Sequence, residues 1–140
     1  MKTHLLDTGI LSAYLLNRPH IVTLLEPLMV QEATATSILV YGEIDEYHKS
    51  KPDYAQRKQI LKALLRQVTP YAPNYAIMER YAEIRRALRP PYGPGIIGDI
   101  DTVIAATALH HSLTLVTADG DFTRVPGLSL LKVDRSWLKI

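Results

Sequence analysis

At 140 residues the chain has room for one compact domain that buries roughly two-thirds of its unfolded surface. With 47% hydrophobic and 21% charged residues, no cysteine and no apolar run long enough to cross a bilayer, it has the composition of an ordinary soluble globular protein. Disulfide scaffolds, zinc–thiolate sites, thiol catalysis and membrane spans are excluded. The formal net charge of +2 does not by itself suggest a nucleic-acid binder, but its distribution does more than its sum. Basic residues gather between Arg57 and Arg89, while isolated acids sit in apolar sequence towards the two ends. The opening Met1-Lys2-Thr3-His4-Leu5-Leu6-Asp7 meets a carboxylate too early for a signal peptide, so a cytoplasmic location is expected.

In chain order, residues 3–6 predict a short strand ending at Asp7, followed by a helix through Leu16 that Asn17-Arg18-Pro19 breaks. A second helix is expected over 21–29, a second strand over 33–37 and a third helix over 38–48. Residues 54–67 show a helical stripe of Ile60, Leu61, Leu64 and Leu65 running into Val68. An extended segment over 68–71 and a helix over 74–88 follow. Residues 89–98, with three prolines and three glycines, predict a loop. The Ile-, Ala- and Leu-rich stretch over 101–110 predicts a helix apolar nearly all round and therefore central. Strands over 114–117 and 128–133, with a turn over 118–121 between them, complete the pattern. Strands alternating with helices mean an α/β fold: a single domain over 1–140, in three layers, with a central parallel sheet of about five short strands flanked by helices. Ligands in such folds gather at the carboxyl ends of the strands.

Acids stand at those ends. Asp7 closes the first strand, where it serves equally as a helix N-cap or a site acid, with Thr8 as a cap partner or a hydroxyl beside it. Glu43 falls within the stripe formed by Leu39, Val40, Ile44 and Tyr47, so it is expected to face inward, where an unpartnered carboxylate is costly. Asp45 and Glu46 are expected in solvent. Asp99 and Asp101 open the central helix; the macrodipole accounts for one acid there, and the other is free to enter the cleft. Asp119 and Asp121 follow the strand that ends at Thr117, where an Asp-Gly turn would use Asp119 in any case. Each acid alone has a structural explanation, but three strand ends and one apolar helix face all presenting carboxylates would crowd negative charge. Hard divalent ions take such oxygen ligands, and the chemistry that follows is attack of activated water on a phosphodiester.

The segments Leu5-Leu6-Asp7-Thr8, Tyr41-Gly42-Glu43-Ile44, Asp101-Thr102-Val103-Ile104-Ala105-Ala106 and Leu115-Val116-Thr117-Ala118-Asp119-Gly120-Asp121-Phe122, in this order, resemble the PIN-domain nucleases. More narrowly they resemble the VapC toxins of toxin–antitoxin pairs, as does Phe122-Thr123-Arg124-Val125-Pro126-Gly127-Leu128. The resemblance implies a Mg²⁺- or Mn²⁺-dependent endoribonuclease, a homodimer, and inhibition by a VapB-type antitoxin. An antitoxin arginine entering the acidic pocket is one way that inhibition would work. The resemblance further implies that Asp7, Glu43 and Asp101 form the metal-binding, catalytic core, with Asp119 as a fourth, more variable acid. Asp99, Thr8 and Thr117 are placed just behind it, and Asp121 is expected to be structural.

Lys58, Lys62 and Arg66 recur at four-residue spacing and are expected on a solvated face. Arg85, Arg86 and Arg89 lead into the loop before Asp99, so contact with RNA phosphates is expected of them. The paired His110-His111 is expected at a helix C-terminus, where positive charge is favoured. Two other enzyme classes use similar acids. Leu6-Asp7-Thr8-Gly9 resembles the signature of retroviral-type aspartic proteases, which are nearly all-β, and an aspartyl phosphatase would need a second acid where Gly9 stands. A non-toxin RNA-processing nuclease, or a non-catalytic RNA- or nucleotide-binding module of the same fold, remains as the alternative.

Overall fold

The computed structural model describes residues 1–139. Eleven regular elements follow in order: β1 (His4–Leu6), α1 (Thr8–Leu15), α2 (Pro19–Val30), β2 (Thr34–Ser37), α3 (Ile38–His48), α4 (Tyr54–Leu64), β3 (Thr69–Tyr71), α5 (Tyr75–Leu88), α6 (Asp99–His110), β4 (Thr114–Thr117) and β5 (Leu130–Lys132). Two 3₁₀ turns, Gly120–Arg124 and Arg135–Leu138, flank β5. The five strands form one sheet in the order β3-β2-β1-β4-β5, every neighbouring pair parallel. This is the expected three-layer α/β arrangement, with helices flanking the sheet. The order reverses direction between β1 and β4, and the chain leaves these two neighbours on opposite routes. That divergence opens a crevice at their carboxyl ends.

A parallel sheet covered on both faces needs strands without an outward polar side, and β1 supplies Leu5 and Leu6 at 0% exposure. β2 is buried along its whole length although it reads Thr-Ala-Thr-Ser. Its hydroxyls are satisfied in place: Thr36 donates to the Leu6 carbonyl at 2.7 Å and Thr34 to the Met29 sulfur at 3.3 Å. The core continues through Ile10, Leu11, Leu115 and Val116 to α6, where Thr102 through Ala108 are all buried. That is the burial expected of a helix apolar nearly all round.

Three elements differ from the sequence-based expectation. Helix α4 ends at Leu64, and of its stripe only Leu61 is buried while Ile60 is half exposed. Leu64 and the following Leu65 pack against the core only in part. On α3 the buried stripe is Val40, Ile44 and His48, one residue every four, and Tyr47 stands in solvent. Helix α6 starts two residues early, at Asp99 with Gly98 as its N-cap, so both acids lie inside the first turn and neither caps it. His111 caps the other end of α6 and stacks on Tyr71 at 3.8 Å; burial lowers its pKa, so the expected positive charge is disfavoured there.

Helix α5 packs on α6 and helps to hold it in place. Its first turn is capped by Asn74, whose Oδ1 accepts from the Ile77 N–H at 2.8 Å. Asn74→Ala is expected to cost about 1 kcal/mol, seen as a lower urea midpoint with an unchanged slope.

Candidate active site

Strand β1 ends at Leu6, and the next residue already caps α1: Asp7 Oδ1 accepts from the Ile10 N–H at 3.0 Å. Its other oxygen accepts from the Thr117 hydroxyl, at the end of β4. Thr117 in turn accepts from the Asp119 backbone N–H at 3.0 Å, which joins the ends of the two diverging strands through Asp7. The cap and site readings of Asp7 are therefore not alternatives. Each oxygen uses one lone pair locally and keeps another for the crevice.

Asp119 is also a cap, accepting from the Asp121 N–H at 2.9 Å at the start of the Gly120–Arg124 turn. Glu43, half-buried on α3, accepts from the Thr8 hydroxyl at 2.5 Å. Asp101, in the first turn of α6, completes the set. Asp7, Glu43, Asp101 and Asp119 line one pocket of about 250 Å³, together with Thr8, Gly9, Ala118, Arg135 and Leu138. Four carboxylates from four separate elements thus share one small hollow at the strand divergence.

The electrostatic consequence falls on two of them. Burial pushes the Asp7 carboxyl up to about 6, with Asp101 and Asp119 adding to it, against the lowering effect of its hydrogen bonds from Thr117 and Ile10. Asp101 is likewise raised to about 6, first by burial and then by Asp119, Glu43 and Asp121. Such a site resists holding its full negative charge without a cation. Among the described residues, no three acid or imidazole side chains are arranged to enclose an ion by themselves. An all-oxygen set of this kind, spread around a hollow, suits a hard divalent ion bound through one or two carboxylates and water, and does not suit a dedicated protein cage.

The remaining predicted residues lie outside the pocket. Asp99 accepts from the Tyr81 hydroxyl at 2.9 Å and from Arg85 at 2.7 Å, which ties α5 to the start of α6. Asp121 pairs with Arg124 at 3.5 Å. Arg86 lies over the Tyr92 ring, and Arg86 and Arg89 are exposed. Asp45, expected in solvent, is held by the Tyr54 hydroxyl and Lys49. The sequence reading missed Arg135 and Leu138. Their 3₁₀ turn carries only a weak signal, the Asp134-Arg135-Ser136 cap in which Asp134 accepts from the Ser136 N–H at 2.8 Å. A larger hollow of about 460 Å³ between α1, α3 and α4 is lined by Leu15, Arg18, His48, Arg57 and Ile60 among others. It holds none of the four acids.

The family model for the PIN domain matches residues 4–128. No curated protein matches the chain. Among solved structures, the chain is similar to VapBC2 from Rickettsia felis bound to a DNA fragment from their promoter, with 27% identity and a TM-score of 0.80, covering 94% of this chain and 99% of that one. It also resembles VapBC-1 from nontypeable Haemophilus influenzae, with 24% identity and a TM-score of 0.78 over 98% of this chain and 99% of that one. FitAcB from Neisseria gonorrhoeae matches at 23% identity and a TM-score of 0.79 over 93% and 97%.

Proposed function

The chain belongs to the PIN-domain family, and from that premise we propose that it is a divalent-metal-dependent endoribonuclease, the VapC-type toxin of a toxin–antitoxin pair. The observation that carries the reading is the convergence of Asp7, Glu43, Asp101 and Asp119 on one hollow from four elements far apart in sequence. Structural need explains each acid singly; it does not explain why all four face the same space. The similarity to VapBC2 supports a VapB-type antitoxin as partner. The homodimer rests on the family resemblance.

In this reading Asp7, Glu43, Asp101 and Asp119 hold Mg²⁺ or Mn²⁺ directly or through water. The ion, when bound, supplies Lewis acidity that makes water a nucleophile at neutral pH and offsets the charge of the phosphodiester. Asp7 is oriented by Thr117 and Ile10, and Glu43 by Thr8, so these two carboxylates are fixed before substrate arrives. Among the described residues Asp101 has no such tether, which leaves it free to adjust to the ion. Arg86 and Arg89, exposed at the end of α5, are proposed to meet RNA phosphates beyond the pocket. Arg85, held by Asp99, is proposed to support that surface and contact RNA less directly.

The test is incubation of the purified chain with a structured RNA in Mg²⁺, with and without EDTA. Cleavage is expected to stop on chelation and return with added Mg²⁺ or Mn²⁺. Cleavage that persists in EDTA would discard the metal-dependent reading, and RNA binding without any cleavage would favour the non-catalytic module.

A further inference from the structure

One cation stands among the described residues that line the acidic hollow, and it comes from outside the stretch matched by the family model: Arg135, on the turn Arg135–Leu138. That turn is tied down at several points. Trp137 stacks on His20 of α2 with ring centres 5.0 Å apart and planes 14° from parallel. The Leu138 carbonyl accepts from Arg18 Nε at 3.3 Å, and Asp134 caps the turn's start. Leu138 also lies so close over Gly9 that a Cβ there would meet its Cδ1 at 3.3 Å. The turn therefore sits against the first turn of α1, beside Asp7 and Thr8, and presents Arg135 at the mouth of the hollow.

With four carboxylates at hand, a guanidinium would be expected to collapse onto one of them. It does not: among the described residues Arg135 makes no ion pair, although five other pairs form elsewhere. The acids are left to a cation, and the exposed guanidinium is left to an anion. A substrate that brings an anion to a cation-loaded acidic pocket satisfies both. Resting on the nuclease reading above, we infer that Arg135 binds a backbone phosphate of the RNA at the mouth of the pocket and so positions the strand for cleavage. A polyanion approaching four carboxylates meets repulsion, and a fixed guanidinium beside them provides a local attraction with two parallel donors.

Kinetics of cleavage and RNA binding test this with Arg135→Ala and Arg135→Lys. The alanine variant is expected to lower kcat/KM at least tenfold, mainly through KM, with lysine restoring part of the loss. Binding of a single-stranded RNA oligomer, measured in an Asp101→Asn background to prevent cleavage, should lose about 0.7 from its salt slope on Arg135→Ala. Melting temperature should not change, since among the described residues the side chain makes no hydrogen bond that the fold uses. Where the wild-type chain cleaves RNA, an unchanged KM together with an unchanged salt slope on Arg135→Ala would overturn this inference alone. So would faster cleavage by Arg135→Ala at low Mg²⁺, which would mean that the arginine merely competes with the ion. A wild-type chain that neither binds nor cleaves RNA would overturn both this inference and the nuclease reading.

Discussion

Replacing Asp101 with asparagine is expected to reduce RNA cleavage about a thousandfold, the scale on which one preorganised charged group acts at a reacting centre. The folded state should be as stable as before, or more so. Asp101 is half-buried in the first turn of α6, and its carboxyl is raised to about 6 by burial and by Asp119, Glu43 and Asp121. Asparagine keeps the shape, removes the charge that an ion would use, and relieves that repulsion. The stabilising contribution lost is the favourable interaction of an acid with the helix N-terminus, about 0.3–1 kcal/mol. Cleavage rate and thermal midpoint measured together separate loss of chemistry from loss of fold. A variant that keeps a tenth or more of the rate would remove Asp101 from the reacting centre.

Asp7→Asn is expected to stabilise the metal-free protein in a pH-dependent way. The Asp7 carboxyl has a pKa of about 6 when folded against an ordinary 3.8, so the folded state holds its proton more tightly than the unfolded state does. Stability is thus unaffected by this group below about pH 3, falls as pH rises from there through 6, and is lowest above it. The shift corresponds to about 3 kcal/mol at pH 8, since each pKa unit is worth 1.36 kcal/mol and the group is almost fully buried. Asparagine can still accept from the Ile10 N–H and meet the Thr117 hydroxyl, so the cap and the link between β1 and β4 survive. Urea unfolding of both proteins in EDTA at pH 3 and pH 8 checks the prediction: no difference at the lower pH, and a higher midpoint for the variant at the upper one. Saturating Mg²⁺ should shrink or reverse that advantage, because a ligand that binds only the folded wild type stabilises it. Equal midpoints at pH 8 in EDTA would show that Asp7 carries no electrostatic penalty.

If the proposed function holds, the same balance sets stability against chemistry. A neutral side chain at position 7 or 101 gives a quieter fold. On the proposed reading, the charge that raises the energy of the metal-free pocket is also what would draw a divalent ion.

Much of the fold was legible in the sequence because its signals are local. The Ile-, Ala- and Leu-rich run after Asp101 has no polar face, and only a central helix can bury such a run. Leu5-Leu6 and Leu115-Val116 lie in short apolar strands, and the capping residues Asp7 and Asp119 follow them. The ends of helices were less legible, since the early start of α6 and the early stop of α4 depend on packing that periodicity does not reveal. Glu43 was placed correctly on an inward-leaning face, but its stripe was drawn through Tyr47. In the folded chain His48 takes that place, because buried positions on α3 recur every four residues.

By itself the sequence determined the acids and the kind of place each would occupy: after a strand, within a helix's first turn, or beside an apolar stripe. Local spacing and capping preference decide such things, since they depend on neighbours three or four residues away. Only the tertiary structure decided which acids meet. Asp101 lies in the hollow, whereas Asp99, two residues before it and so about 200° around the helix, is turned to Arg85 and Tyr81. Asp7 and Asp119 meet because β1 and β4 are neighbours although more than a hundred residues separate them. Arg135 joins them because Trp137 and Leu138 dock on α2 and α1. Contacts between distant segments follow from how whole faces pack, and no local pattern around Arg135 encodes its partner.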